Sequence, residues 1–74
     1  MRRKLEYLSA RQEAILSCIR REIVERGVAP TVREIARMVG LSSTSSVAYQ
    51  LRQLEKRGEI IREARRPRAT RLGH

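Results

Sequence analysis

Between Thr31 and Gly58 the chain carries two capped amphipathic patterns, TVREIARMVG and a second that runs to LRQLEKRG, separated only by Gly40, Leu41 and Ser42. A short helix joined to a longer one through so tight a corner must brace against it as a helix-turn-helix. That arrangement offers its second helix to a DNA major groove. An Arg-rich segment follows directly, placing a candidate phosphate clamp beside the candidate base reader.

Local signals set the element boundaries. Pro30 restricts Ala29 to extended backbone, so no helix continues into Thr31 from upstream. Thr31 then caps a helix with Glu34 as its reciprocal partner. Val32, Ile35, Ala36 and Val39 recur at i, i+3, i+4 and i+7 on one face, and Gly40 ends the pattern. The small Ala36 lets the next helix approach closely, and Leu41 is placed to plug the corner. Ser43 is the expected cap of the following helix, which begins near Thr44, ends at Gly58 and turns Val47, Leu51 and Leu54 to the core. Upstream, Ser9 and Gln12 form a capping box for a first helix from Ala10 to about Arg26. Ile15, Leu16, Ile19 and Ile23 make its buried stripe, and Gly27 is its stop.

After Gly58 the texture changes. Glu59-Ile60-Ile61-Arg62-Glu63 is short and β-rich, Ala69-Thr70-Arg71-Leu72 is a second candidate strand, and Pro67 marks the turn between them. A disordered basic tail competes with this reading, but β-branched residues on both flanks favour a hairpin. The expected fold is therefore mostly α with a small β-hairpin: a winged helix-turn-helix of three helices and a two-stranded wing over residues 9–72. Residues 1–8 lack a sustained period and are expected to form a flexible basic arm, with 73–74 as a tail.

Size and charge narrow the function. A chain of 74 residues makes one small domain. It buries only about 60% of its unfolded surface, so a deep catalytic pocket is not expected. A formal charge of +9, concentrated towards the C-terminus, points to a polyanionic partner. Cys18 is the single cysteine, which excludes an internal disulfide and any zinc cluster built on cysteines. It lies within an amphipathic helix with no histidine nearby, which suits packing better than nucleophilic work. His74 is terminal without a neighbouring ligand, the glycines follow no phosphate-loop spacing, and no apolar run approaches the ~20 residues of a membrane span. Charged Arg11, Arg20 and Glu22 interrupt what a signal peptide would keep apolar. The expectation is a cytoplasmic, nucleoid-associated protein with no cofactor, metal, small-molecule ligand or enzymatic activity.

On a helical wheel, Ser45, Tyr49, Arg52 and Lys56 fall opposite the apolar side of the third helix, flanked by Ser46, Ala48 and Gln53. Residues in the first turns of an inserted helix meet base edges, so Ser43, Ser45, Ser46, Ala48 and Tyr49 are the candidate base readers. A serine hydroxyl donates or accepts and so names no base, while the Ala48 methyl fits a thymine methyl. Arg52, Lys56, Arg65, Arg66 and Arg68 are candidate contacts to phosphate or the minor groove, which position without selecting. The amides near Thr31 and Val32 can also face a phosphate. Each residue has a plainer role: serines and Thr31 cap helices, a tyrosine can lie on a surface, and a charge run can simply be solvated.

Assembled, these residues resemble the N-terminal DNA-binding domain of LexA repressors. The matching pieces are LSARQEAILSCIRREI, the G-x-x-P-T-V-R-E-I-A run from Gly27 to Ala36, VGLSSTSSVAYQLRQLEKRGEI and RRPRATRL, covering nearly everything from Leu8 to Leu72. The run GLSSTSSVA looks nearest to actinobacterial members. The resemblance implies a winged helix-turn-helix repressor of damage-response (SOS) promoters that binds palindromic double-stranded operators as a dimer, with itself or a full-length repressor as partner. Its base-contacting positions fall on Ser43, Ser45, Ser46, Ala48 and Tyr49. Such repressors also carry a C-terminal domain that dimerises and cuts the chain at an Ala-Gly linker through a Ser/Lys dyad. That domain is not in these residues, so the expectation is an isolated domain or a short paralogue that does not cleave itself. Some members have acidic side chains where Ala48 and Tyr49 stand, so their operator letters do not transfer.

A winged-helix protein-interaction module, or an antagonist that pairs with a full-length repressor, is the alternative reading. RNA binding fits less well, because the outward stripe has only Tyr49 to stack on bases.

Overall fold

The computed structural model describes residues 8–62 and 70–73. Its elements follow the order α1 (Ala10–Arg26), α2 (Val32–Val39), α3 (Thr44–Lys56), β1 (Ile60–Ile61) and β2 (Arg71–Leu72). The three helices pack pairwise on one another, and the two strands pair antiparallel with Ile60 opposite Leu72 and Ile61 opposite Arg71. This is the expected winged helix-turn-helix.

Capping explains why the helices start where they do. Ser9 Oγ accepts from the Gln12 N–H at 3.1 Å while Gln12 Oε1 accepts from the Ser9 N–H at 3.1 Å. Thr31 and Glu34 repeat the exchange at 3.2 and 2.9 Å. Each box satisfies two main-chain donors that a helix start would otherwise leave unpaired. Ser43 caps alone, its Oγ accepting from the N–H groups of Ser45 and Ser46 at 3.2 and 3.4 Å.

The corner between α2 and α3 depends on Gly40. Its φ of 78° is left-handed, which lets the Leu41 N–H fold back onto the Ala36 carbonyl at 2.8 Å and close the helix end. Leu41 then packs against the core. α3 ends in the same way two residues earlier than expected, at Lys56, with the Glu59 N–H returning to the Leu54 carbonyl at 3.0 Å.

The core is a contiguous cluster. Ile15, Leu16, Cys18 and Ile19 of α1 meet Ile35 and Ala36 of α2, Val47, Leu51 and Leu54 of α3, and Ile60 of β1, with Ala29 closing the loop before α2. Ile15, Leu16, Ile19 and the three α3 residues are buried as expected, while Ile23 is only partly so. Gln12 and Glu22 complete the buried face of α1, Glu22 pairing with Arg26 at 3.2 Å.

β1 and β2 are shorter than the strands expected from composition, and Pro67 with the rest of residues 63–69 lies outside the described residues. Ile60 is buried and Ile61 exposed, the alternation of a strand lying over a core. Leu8 of the expected arm packs against the core, whereas residues 1–7 lie outside the described residues. Gly73, expected in the tail, is held instead: its N–H donates to the Glu59 carbonyl at 2.8 Å. A Cβ built there would overlap the Gly58 carbonyl oxygen.

The two glycines therefore have different sensitivities. At Gly40 a Cβ meets open space, so Gly40→Ala meets only the left-handed strain and is expected to cost about 1–2 kcal/mol in urea unfolding, with the wing intact. Gly73→Ala is expected to break the closure of β2 on the Gly58–Glu59 segment. Amide exchange should then report lost protection at position 73 while the helices stay protected.

Candidate nucleic-acid interface

α3 divides into two sides. Val47 and Leu54 have 0% exposure and Leu51 2%, and all three join the core. On the other side Ser45, Arg52 and Lys56 are exposed and Tyr49 is 52% exposed. Ser46, Ala48 and Gln53 are half-buried along the flanks. Thirteen residues give this ridge a length of about 20 Å, enough to lie along a groove. The side chains of Ser45, Tyr49, Arg52 and Lys56 make no hydrogen bond or ion pair with any described residue. The anion of α3, Glu55, sits two turns below Ala48 and off the stripe.

The candidate base readers are not equivalent. Ser45, Tyr49 and the half-buried Ser46 and Ala48 present side chains with no structural duty. Ser43 is exposed, but its oxygen is engaged as the α3 cap, so it retains chiefly its hydroxyl proton for an outside partner. Thr31 is committed similarly: its hydroxyl accepts from Glu34 and its amide donates to the Glu34 carboxylate. Arg52 and Lys56 extend along the exposed ridge. Arg65, Arg66 and Arg68 lie outside the described residues; Ile61 and Arg71, on either side of them in the chain, are paired.

A link between α1 and α3 is missing from the reading by periodicity. Gln12 Nε2 donates to Gln50 Oε1 at 3.1 Å, so a nearly buried amide on α1 meets a half-buried one on α3. The signal for it is faint but present: Gln50 falls on the wheel between the polar Ser46 line and the core residue Leu54, where an apolar residue would be ordinary.

Cys18 lies under α2, its Sγ 3.2 Å from Met38 Sδ. Burial pushes its thiol pKa up, Arg21 pulling it down less than burial raises it, with Glu22 and Glu34 adding upward pushes. It remains a protonated packing residue. Among the described residues no group of His, Cys, Asp and Glu is placed to hold a metal, and no helix is long and apolar enough to cross a membrane.

Residues 5–69 match the family model described as the LexA DNA binding domain. The chain belongs to the LexA DNA-binding domain family. It is 58% identical over 66 residues to the LexA repressor of Corynebacterium jeikeium, a stretch covering 89% of this chain and 25% of that protein. It is 55% identical over 62 residues to the LexA repressor of Mycobacterium leprae, covering 84% and 26%. With the LexA repressor of Corynebacterium glutamicum it shares 52% over 67 residues, covering 90% and 29%. The actinobacterial flavour of GLSSTSSVA is borne out by these relatives. The chain spans about a quarter of their length, and the part it shares is the DNA-binding domain of the family.

For the thiol, the folded state holds its proton more tightly than the unfolded state does. Its contribution is therefore complete below the ordinary thiol pKa and declines as pH rises through the raised folded value. Unfolding free energy should fall across the alkaline range more steeply in the parent than in Cys18→Ala. Alkylation by iodoacetamide at neutral pH should be slow in the native protein and fast in denaturant.

Proposed function

We propose that this chain binds duplex DNA sequence-specifically and represses transcription, with α3 lying in the major groove. The observation that carries this reading is the unpartnered polar ridge of α3, backed by a core that leaves that helix only one way to face. Ser45, Ser46, Ala48 and Tyr49, with the Ser43 hydroxyl proton, read base edges along the groove floor. Arg52 and Lys56 grip phosphates, while Arg65, Arg66 and Arg68 of the wing loop reach the backbone or the minor groove. Thr31 contributes a second, weaker backbone contact from the start of α2. Residues 9–72 form the binding unit.

The finer reading follows the named relatives. As LexA repressors they suggest that this chain acts at promoters of the damage response, on palindromic operators read by two copies. The 74 residues alone are expected to bind one half-site weakly as a monomer. The protein would act in the cytoplasm, on the nucleoid.

Random-oligonucleotide selection followed by anisotropy titration tests the proposal. Binding to the selected duplex should survive excess competitor DNA, whereas affinity equal for every sequence would reject a sequence-specific role. Ser46→Ala with Tyr49→Ala should narrow the gap between selected and scrambled duplexes by about tenfold or more, since a good base contact is worth about 1–3 kcal/mol. Arg52→Ala with Lys56→Ala, or Arg66→Ala with Arg68→Ala, should weaken all sequences alike. Each lost phosphate contact should flatten the logarithmic salt slope by ~0.9. A wing variant that altered preference alone would reverse the assignment of roles.

A further inference from the structure

The bridge between Gln12 and Gln50 has a polarity, and a main-chain group sets it. Gln12 Oε1 accepts from the Ser9 N–H at 3.1 Å, and Gln12 Nε2 donates to Gln50 Oε1 at 3.1 Å. A backbone N–H only donates, so the Gln12 carboxamide has one productive orientation, oxygen towards Ser9 and nitrogen towards α3. That nitrogen only donates as well, so Gln50 must turn its own oxygen inward. The Gln50 amide nitrogen is then the end left facing away from α1. It has no acceptor among the described residues.

Position decides what such a donor meets. Gln50 follows Tyr49 and is half-buried on the shoulder of α3, between the Ser46 line and Leu54. With the central line of the ridge along the base edges, the shoulders face the groove walls, where phosphate oxygens are the acceptors on offer. We propose that Gln50 contacts a DNA phosphate and that Gln12 is its positioning residue, the capping box of α1 thereby setting the polarity of a contact made by α3. The assignment rests on the duplex-binding reading above. A neutral donor releases no counterion of its own, so this contact adds affinity for every sequence without adding to the salt slope.

Gln12→Glu separates this role from a structural one. A carboxylate still accepts from the Ser9 N–H, as Glu34 does from Thr31, and an acidic residue suits the first turn of a helix, so α1 stays capped. It cannot donate. Gln50 must then give its nitrogen to the introduced carboxylate and turn its oxygen towards the phosphates. Duplex affinity is expected to fall roughly tenfold for selected and scrambled sequences alike, the weight of one hydrogen bond to a charged acceptor, with the melting temperature little changed.

Gln50→Ala should give a similar loss with an unchanged salt slope. In the Gln50→Ala background, adding Gln12→Glu should have no further effect. Full affinity in Gln50→Ala would overturn the proposal. So would a Gln12→Glu loss of equal size with and without Gln50, because charge alone would then account for it. A parent chain that binds no duplex removes the duplex reading and this assignment together. Binding by the parent with either of the other outcomes removes this assignment alone.

Discussion

Everything on the outer surface of α3 follows from the packing of its inner one. Val47, Leu51 and Leu54 interlock with Ile15, Leu16 and Ile19 of α1 and with Ile60 of β1. Each large buried aliphatic contributes about 1.5–3 kcal/mol. Rotating α3 to hide Tyr49 or Arg52 would expose three such residues at once and bury a guanidinium without a partner, which costs more still. The polar ridge thus faces outward because no other rotation of this helix is stable, and its side chains are left unpaired for a ligand.

That constraint operates only because the connections are short and closed. Leu41 folds back on Ala36 two residues after the end of α2, and Glu59 folds back on Leu54 at the end of α3, leading at once into Ile60. The wing is consequently an extension of α3. Ile60 anchors its first strand in the core, and the Gly73 amide on the Glu59 carbonyl ties its second strand to the same point. Ile61 and Arg71, which flank Arg65, Arg66 and Arg68 in the chain, are therefore held at a fixed distance from α3, as the proposed pairing of a clamp with a reader requires.

Much of this is legible in the sequence, because it is local chemistry. Ser9 with Gln12, Thr31 with Glu34, the lone Ser43, and glycines at 27 and 40 each act within a few residues of themselves, so boundaries read from them coincide with those of the helices. Periodicity finds Ile35, Leu51 and Leu54 for the same reason. The strands, read from composition as longer than they are, depend on pairing partners distant in the chain, and among the described residues Ile60–Ile61 and Arg71–Leu72 are the ones that form strands. Long-range polar contacts are harder again. Gln12 meets Gln50 across 38 positions, and nothing in the spacing of either residue announces the other. Ser43 illustrates a further limit, since its residue type fits a cap and a base contact equally well, and the structure assigns it the cap first.

The chemistry of the ridge has a geometric corollary. Its candidate reading positions, Ser43, Ser45, Ser46 and Ala48, are small, so any contact they make with a base edge requires the backbone of α3 itself to come close to the groove floor. Long side chains such as Arg52 and Lys56 reach phosphates from a distance, but a serine hydroxyl does not. A small-residue face therefore trades reach for depth. Depth in turn demands that nothing protrude near the start of α3. The corner meets that demand, with Gly40 carrying no side chain, Leu41 turned into the core and Ser42 short. Tyr49, the one large side chain among the candidate readers, stands at the second turn and is exposed. On the duplex-binding proposal, affinity from charge and discrimination from close approach thus fall to different residues of one helix.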